Sequence, residues 1–198
     1  TTTTMLAVLG FGAALATPAM AMDPVCQSLF AVQMNAAKTP FHIYMTEQRS
    51  FGNQALAKAG AQLGMTGAKK SEEISTGKDV YVLNNGKWID MQTNFFDMSK
   101  ADPNDPDVKK TRETARCHTL PDTMAAGQPA SGYEETNSAT GIDSKVWISK
   151  ISRLPLKAEL TNNDTAMKTF TTMTYDYRNV QAPAGAITMQ QMISARHH

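Results

Sequence analysis

The chain lacks the charge imbalance and the catalytic or cofactor-binding motifs from which function can be read in many sequences. Its 19 basic and 18 acidic side chains leave a formal net charge of +1, so charge gives no reason to expect nucleic acid or an anionic membrane surface as a partner. The zinc-protease, nucleophile-elbow, phosphate-loop and dinucleotide-binding motifs are absent. We therefore expect a protein that is not an enzyme, with no catalytic residues, no metal and no cofactor.

Long hydrophobic runs are also lacking, which argues against a membrane-spanning helix. The one notable run, residues 6–15, is too short to cross a bilayer comfortably. Pro18 and an Ala-x-Ala site ending at Ala21 follow it, which is the layout of a secretory signal peptide, although no Lys or Arg precedes the run. We expect a signal peptide over residues 1–21, then a single domain over residues 22–198 that is soluble in the periplasm.

Cysteine is scarce, and the predicted export bears on whether the two cysteines form a disulfide. Cys26 and Cys117 are the only pair, and an oxidising compartment favours a disulfide between them. It would close a loop of about 90 residues and contribute on the order of 4 kcal/mol in the chain-entropy model. We predict that the bridge ties the first helix to a mid-sheet strand; two free buried thiols are the alternative.

Local patterns predict one leading helix and then strands. Asp23 and Pro24 suit a helix start, and the apolar spacing after them predicts a helix over residues 24–37. The stretch FHIYMTEQRS alternates in the way that is typical of a strand. The alanine-rich residues 53–65 fit either a weak helix or a mobile insertion between strands.

The dipeptide Asn85-Gly86 between two apolar runs is the clearest local signal, because it is the preferred two-residue loop of a β-hairpin. Such a loop pairs the residues before it with those after it. The predicted pairs are Leu83 with Trp88, Val82 with Ile89, and Tyr81 with Asp90.

Apolar residues on both strand faces recur in the stretch KVWISKISRLPLKAEL, residues 145–160. A succession of hairpins favours an antiparallel sheet of seven or eight strands rather than βαβ units. A sheet with two apolar faces must curl around something. We therefore expect an α+β fold in which a curved antiparallel sheet forms a half-open barrel and helices cover its concave face.

Four segments, in their order along the chain, resemble a known family. These are SEEISTGKDVYVLNNGKW, CHTL with GQPASGY, SKVWISKISRLPLKAEL and YDYRNVQAP. They resemble exported bacterial proteins related to the periplasmic lipoprotein carrier LolA. The resemblance implies an apolar cavity under a helical lid, which in the carriers takes up acyl chains. It makes Arg49 the candidate counterpart of the carriers' functional arginine, and residues 53–65 look like an insertion.

The neighbouring carboxylates of the chain do not suggest an acid–base pair. Glu72 and Glu73, like Glu134 and Glu135, are adjacent, and adjacent side chains on a strand diverge. We expect all four to be solvated charges, and His42 to be exposed or already hydrogen-bonded.

The predicted function is that of a periplasmic binding or carrier protein for a lipid-like or other hydrophobic ligand. The alternative is a protein-interaction or assembly module of the cell envelope that has no small-molecule ligand. Bulky side chains close a wide apolar space at low entropic cost. On that ground the predicted ligand-binding residues on the concave side are Ile43, Met45, Tyr81, Leu83, Trp88 and Trp147.

Overall fold

The computed structural model describes residues 22–62, 65–91 and 105–194. The expected signal peptide, residues 1–21, lies outside these ranges and stays a prediction. In the described ranges, no helix has both the length and the apolar character that crossing a bilayer requires.

Four helices and ten strands occupy the described ranges. The helices are α1 (Pro24–Ala36), α2 (Gln54–Gln62), α3 (Pro106–Thr114) and α4 (Met189–Ser194). The strands are β1 (Phe41–Phe51), β2 (Lys69–Ser75), β3 (Val80–Asn84), β4 (Lys87–Asp90), β5 (Ala115–Ala125), β6 (Gln128–Asn137), β7 (Ile142–Ser149), β8 (Pro155–Asn162), β9 (Met167–Asp176) and β10 (Ile187–Thr188).

Capping side chains explain where the first two helices begin. The Asp23 carboxylate accepts a hydrogen bond of 2.7 Å from the backbone N–H of Val25, and Pro24 occupies the first turn of α1. The Asn53 side chain accepts 2.9 Å from the N–H of Leu56 at the start of α2. The prediction for α1 is therefore confirmed to within one residue, and residues 53–65 contain a helix.

The hairpin between β3 and β4 forms as predicted. Asn85 and Gly86 have φ values of 50° and 75°, the positive angles that a two-residue loop of this kind needs. The cross-strand partners are Leu83 with Trp88, Val82 with Ile89, and Tyr81 with Asp90. The register of this part of the sheet was thus available from the sequence alone.

The strands form one sheet in the order β10-β4-β3-β2-β1-β9-β8-β7-β6-β5. All neighbours are antiparallel except β10 and β4, which run parallel. In the described residues the two ends of this order do not pair, so the sheet is open and is not closed into a barrel. The predicted α+β class with an antiparallel sheet is confirmed, with ten strands rather than seven or eight.

Helix α1 packs on one face of the sheet and is covalently tied to it. Cys26 and Leu29 of α1 form a buried cluster with side chains of β5, β7 and β8. The Cys26–Cys117 disulfide joins α1 to β5 with a Cα–Cα distance of 5.1 Å. The predicted bridge is confirmed, but β5 is the edge strand of the described sheet, not a mid-sheet strand.

In the turn between β1 and α2, the backbone of a neighbouring segment lies too close to Gly52 to leave room for a side chain. A Cβ added at Gly52 would lie 2.3 Å from the backbone oxygen of Thr165, and the Gly52 N–H donates to the Ala166 oxygen at 3.0 Å. We expect Gly52→Ala to lower the free energy of unfolding by about 1–3 kcal/mol, because backbone must move to relieve the contact. Urea unfolding measures this.

The matched control for Gly52→Ala is Ser50→Ala, at an exposed residue two positions earlier, near the end of β1. That change should stay within about 0.5 kcal/mol of the wild type. Equal stabilities for the two variants would contradict the close approach at Gly52.

Candidate functional site

Strand register divides the sheet into two faces. Val146, Ile148 and Ala158 contact the α1 cluster, and residues directly opposite one another on paired strands share a face. We call the face that carries these residues the helix face. Their neighbours along each strand point the other way and form the opposite face.

An apolar strip continues the α1 core along the helix face, and we define it by Ile43, Met45, Leu160 and Met173. Met173 packs against the α1 cluster and lies opposite both Met45 on β1 and Ala158 on β8. Ile43 is buried, whereas Met45, Leu160 and Met173 are only half-buried. The strip is therefore apolar surface that the described helices do not fully cover.

A charged pair lies farther along β1 on the helix face. The Arg49 Nε donates to the Glu47 Oε1 at 2.5 Å, and both side chains are half-buried. Alternation from Ile43 and Met45 places this pair at the far end of the strip from the start of β1. Arg49, the candidate counterpart of the carriers' arginine, thus borders the apolar strip.

Glu73 is a buried carboxylate on the helix face. The residue is 4% exposed, and its Oε1 has no hydrogen-bond partner among the described residues. Its cross-strand partners are Ile43 and Val82, whose side chains offer no hydrogen bond. Burial raises the pKa of Glu73 to about 7. The expectation that Glu73 is a solvated charge is wrong, since both flanking strands contribute apolar side chains on that face.

Aromatic rings lie near Glu73 on the same face. Tyr175 is the partner of Ile43 on the other side of β1. Its ring centroid lies 6.1 Å from that of Phe41, edge to face, and 6.3 Å from that of Tyr177, stacked. Burial, with a contribution from the Glu73 charge, raises the pKa of Tyr175 to about 12. We call Phe41, Tyr175 and Tyr177 the aromatic wall.

Three of the predicted binding residues lie on the opposite face of the sheet. Tyr81 is in register with Ile74, and Ile74 with His42. Leu83 is the partner of Trp88, whose ring centroid lies 6.1 Å from that of His42. Since His42 neighbours Ile43 on β1, these side chains point away from the apolar strip.

Trp147 also lies on the opposite face, where it fills a gap left by a glycine. It neighbours Val146 of the α1 core and is the partner of Gly132. A Cβ at Gly132 would lie 2.8 Å from Leu120 Cβ and 3.4 Å from the indole Nε1. The Lys157 Nζ stands 4.8 Å from the indole centroid. Packing beside Gly132 and a cation–π contact therefore hold the indole in this position, and ligand contact by Trp147 stays a prediction.

The six residues predicted to bind a ligand thus do not share one surface. Ile43 and Met45 lie on the helix face, and the other four lie on the opposite face. Choosing the wrong alternate set of residues on a strand by one position exchanges the two faces, and this happened for those four. Ligand contact by Ile43 and Met45 stays a prediction. Sequence reasoning missed Glu73 on β2 and Tyr175 on β9. The signal that could have found them is the alternation of each strand, in which their neighbours point to the opposite face.

The two carboxylate pairs diverge as expected, and their outward members engage histidines. Glu72 Oε2 lies 3.0 Å from His42 Nε2 on the opposite face, and Glu134 Oε2 lies 2.7 Å from His118 Nε2. Within the described ranges, no group of three or more His, Cys, Asp or Glu side chains could hold a metal ion. Each of these histidines is therefore an ion-pair or hydrogen-bond partner of a carboxylate in this structure.

A separate pocket of about 390 Å³ opens at one end of the sheet. The residues that line it are mostly of polar type: Thr114, Arg116, Thr136, Asn137, Ser138, Gly141, Asp143 and Asn163. The Asn137 amide donates to the backbone oxygen of Thr111 and accepts from the Thr114 hydroxyl, at 2.9 Å each, and Asn163 donates to Asp143 at 2.7 Å. Several polar groups of the lining are thus already engaged within the protein, and we assign no function to this pocket.

Comparison with known proteins yields structural likeness only. No family model and no curated protein matches the chain. Similar solved structures include MucB in complex with MucA(peri), at 15% identity and a TM-score of 0.44, covering 81% of this chain and 60% of that one. LprF from Mycobacterium bovis is 11% identical with a TM-score of 0.41, covering 83% and 99%.

A DUF1329 family protein from Desulfovibrio piger is 11% identical, with a TM-score of 0.31, and covers 82% of this chain and 95% of that one. The chain spans about three fifths of the MucB chain, 60%. At such identities and TM-scores, none of these likenesses assigns a function.

Proposed function

We propose that this chain is an exported binding or carrier protein that holds a hydrophobic, lipid-like ligand against the apolar strip. The observation that carries the proposal is the half-burial of Met45, Leu160 and Met173 directly beside the buried α1 core. Apolar surface is favourably removed from water, and binding sites for small molecules are lined mainly by apolar side chains. A ligand laid along the strip would extend the core.

The dimensions of α1 support this reading of the strip. A helix of 13 residues is about 20 Å long. Ten strands, spaced about 4.8 Å apart, extend over about 43 Å across the sheet. Helix α1 therefore covers only part of the helix face. Its contacts concentrate on the β5 to β9 side, which leaves the strip at the margin of the covered area.

The disulfide supports the export part of the proposal. Structural disulfides form and persist in oxidising compartments and are rare in the cytosol. The Cys26–Cys117 bridge is buried within the α1 core. A periplasmic location fits this chemistry together with the signal-peptide pattern of residues 1–21.

A protein-interaction module is the second candidate function, and one feature of the opposite face favours it. Tyr44 is 46% exposed and stacks on His42 at 4.2 Å, with Trp88 beside the same imidazole. Partly exposed aromatic rings of this kind are enriched at protein interfaces. An absence of any hydrophobic ligand would leave this candidate as the better one.

A displacement assay with a fluorescent long-chain fatty-acid analogue tests the main proposal. We expect the wild type to bind the probe, and native mass spectrometry of protein from a periplasmic extract to show a copurified lipid. Met45→Ser should weaken probe binding by about 1 kcal/mol, roughly fivefold, because a half-buried thioether contact is lost.

The control is Tyr44→Ser, which changes the adjacent residue on the opposite face and should leave probe affinity as in the wild type. Trp147→Phe tests whether the aromatic residues of the opposite face bind the ligand instead. Weaker binding in Tyr44→Ser or Trp147→Phe, with Met45→Ser unaffected, would place the ligand on the wrong face for this proposal.

A further inference from the structure

We propose that Glu73 and the aromatic wall form a head-group subsite that binds the primary ammonium group of an amphiphilic ligand. The inference rests on the proposed function, since the ammonium would belong to a molecule whose chain lies along the apolar strip. It assigns the ligand a chemical class, a cationic amphiphile, which the apolar strip alone does not do.

The register places the subsite beside the strip. Val82, Glu73, Ile43 and Tyr175 follow one another across β3, β2, β1 and β9 on the helix face. Directly opposed residues have Cβ atoms about 5 Å apart. Ile43 therefore lies between the carboxylate and the tyrosine, and it also belongs to the strip. A chain on the strip would end within reach of Glu73.

The burial and the hydrogen bonding of Glu73 explain why this carboxylate would bind a cation. Its Oε1 has no partner in the described parts of the chain, and a buried carboxylate without a partner is strongly disfavoured. On the same strand and the same face, the register places the cation Lys69 four residues from Glu73, which corresponds to about 13 Å along the strand. Lys69 is exposed, and its cross-strand partner on β1 is Glu47.

An ammonium group matches both components of the subsite. It supplies three N–H donors and a positive charge to the carboxylate, and it is attracted to the faces of aromatic rings within about 6 Å. The aromatic wall provides such rings, since Tyr175 lies between Phe41 and Tyr177. An anionic head group would instead meet the Glu73 charge, so an anionic amphiphile should bind less tightly than a cationic one of the same chain length.

The charge state of Glu73 gives the subsite a pH signature. Its raised pKa of about 7 means that the free protein carries both forms of the carboxyl near neutrality. An ammonium ligand favours the ionised form. The other titratable group in the register row is Tyr175, whose pKa is about 12, so it remains neutral over the same range.

The experiment compares three probes of equal chain length: dodecylamine, dodecanol and dodecanoate. Each displaces the fluorescent fatty-acid analogue from the full chain. We expect dodecylamine to bind at least about tenfold more tightly than dodecanoate. Glu73→Gln should weaken dodecylamine about tenfold and change dodecanol less than about threefold. Glu72→Gln, at the neighbouring carboxylate on the opposite face, is the matched control and should change neither.

A second measurement uses the wild type alone and does not depend on how the variant folds. Dodecylamine affinity should fall by about tenfold between about pH 8 and pH 5, as Glu73 takes up its proton, whereas dodecanol affinity should not change. Dodecylamine binding that is insensitive to both pH and Glu73→Gln would overturn the head-group subsite. If dodecanol still binds in that case, the proposed function survives; if no probe binds, the proposed function fails as well.

Discussion

Loss of the Cys26–Cys117 disulfide will lower the free energy of unfolding by about 4 kcal/mol, the largest effect that we expect of any single change. The bridge spans a sequence separation of 91, and closing a loop of that length restricts the unfolded chain by about 4–5 kcal/mol in the chain-entropy model. The expected comparison is urea unfolding of the oxidised protein and of the double variant Cys26→Ala with Cys117→Ala.

Reduced wild type is the control for this measurement, because it loses the bridge without losing the two side chains. It should unfold close to the double variant. Both thiols would then sit in the α1 core, where Cys26 and Cys117 are buried, and the small added cost of two alanine cavities should separate the curves only slightly. A reduced protein as stable as the oxidised one would contradict the expectation.

The bridge also determines how α1 stays on the sheet. Leu29 is the largest fully buried side chain of the helix, and β5, to which Cys117 belongs, is an edge strand. An edge strand has only one hydrogen-bonded neighbour, so it frays more readily than a central one. The disulfide therefore secures both the edge of the sheet and the helix, and the helix borders the proposed ligand strip.

Features set by a few adjacent residues could be predicted from the sequence. The β3–β4 hairpin follows from Asn85 and Gly86, which tolerate positive φ. Helix α1 follows from Asp23 and Pro24 at its start. The disulfide follows from counting cysteines in a chain that the sequence pattern predicts to be exported. In each case the deciding interaction lies within a few residues, or there is only one possible pairing.

The faces of the candidate binding residues could not be predicted in the same way, because they depend on strand order and on where α1 packs. Alternation correctly separates Trp147 from Val146, but it does not say which of the two meets the helix. The packing of α1 against Val146 and Ala158 settles that, and the pairing of Ala158 with Met173 and of Met173 with Met45 extends the same face to β9 and β1. Residue size favoured Trp147 as a cavity residue, whereas Gly132 on the neighbouring strand leaves the space that the indole covers.

Glu73 shows the same limit for a charged residue. In the sequence it stands next to Glu72 and looks equally hydrophilic. Glu72 Oε2 has the His42 imidazole as a partner at 3.0 Å, whereas Glu73 Oε1 has no hydrogen-bond partner among the described residues. The environment of Glu73 comes from Ile43 and Val82, which lie 30 residues before it and nine after it by the printed numbering. Its burial is a property of the assembled sheet.

Stability should decrease as the pH rises through the range in which Glu73 ionises. The unfolded chain releases this proton near the ordinary pKa of 4.5, whereas the folded protein holds it until about 7. Between these values the folded state binds more protons than the unfolded state, so unfolding becomes easier with rising pH. The full difference corresponds to about 3 kcal/mol, which is present below about pH 4.5 and is lost above about pH 7.

Glu73→Gln removes the titrating group and nearly preserves its shape, so its unfolding free energy should vary much less over this interval and should exceed that of the wild type above about pH 7. Burial also raises the pKa of Glu135, which leaves a residual slope of the same sign. Asp176, whose pKa Arg178 holds at about 2, contributes in the opposite sense only at lower pH.

Glu113→Gln, at an exposed carboxylate of α3, is the control and should keep the wild-type slope. Urea unfolding at a series of pH values measures all three proteins, and identical slopes for wild type and Glu73→Gln would mean that Glu73 is ionised in the folded protein as readily as in the unfolded chain.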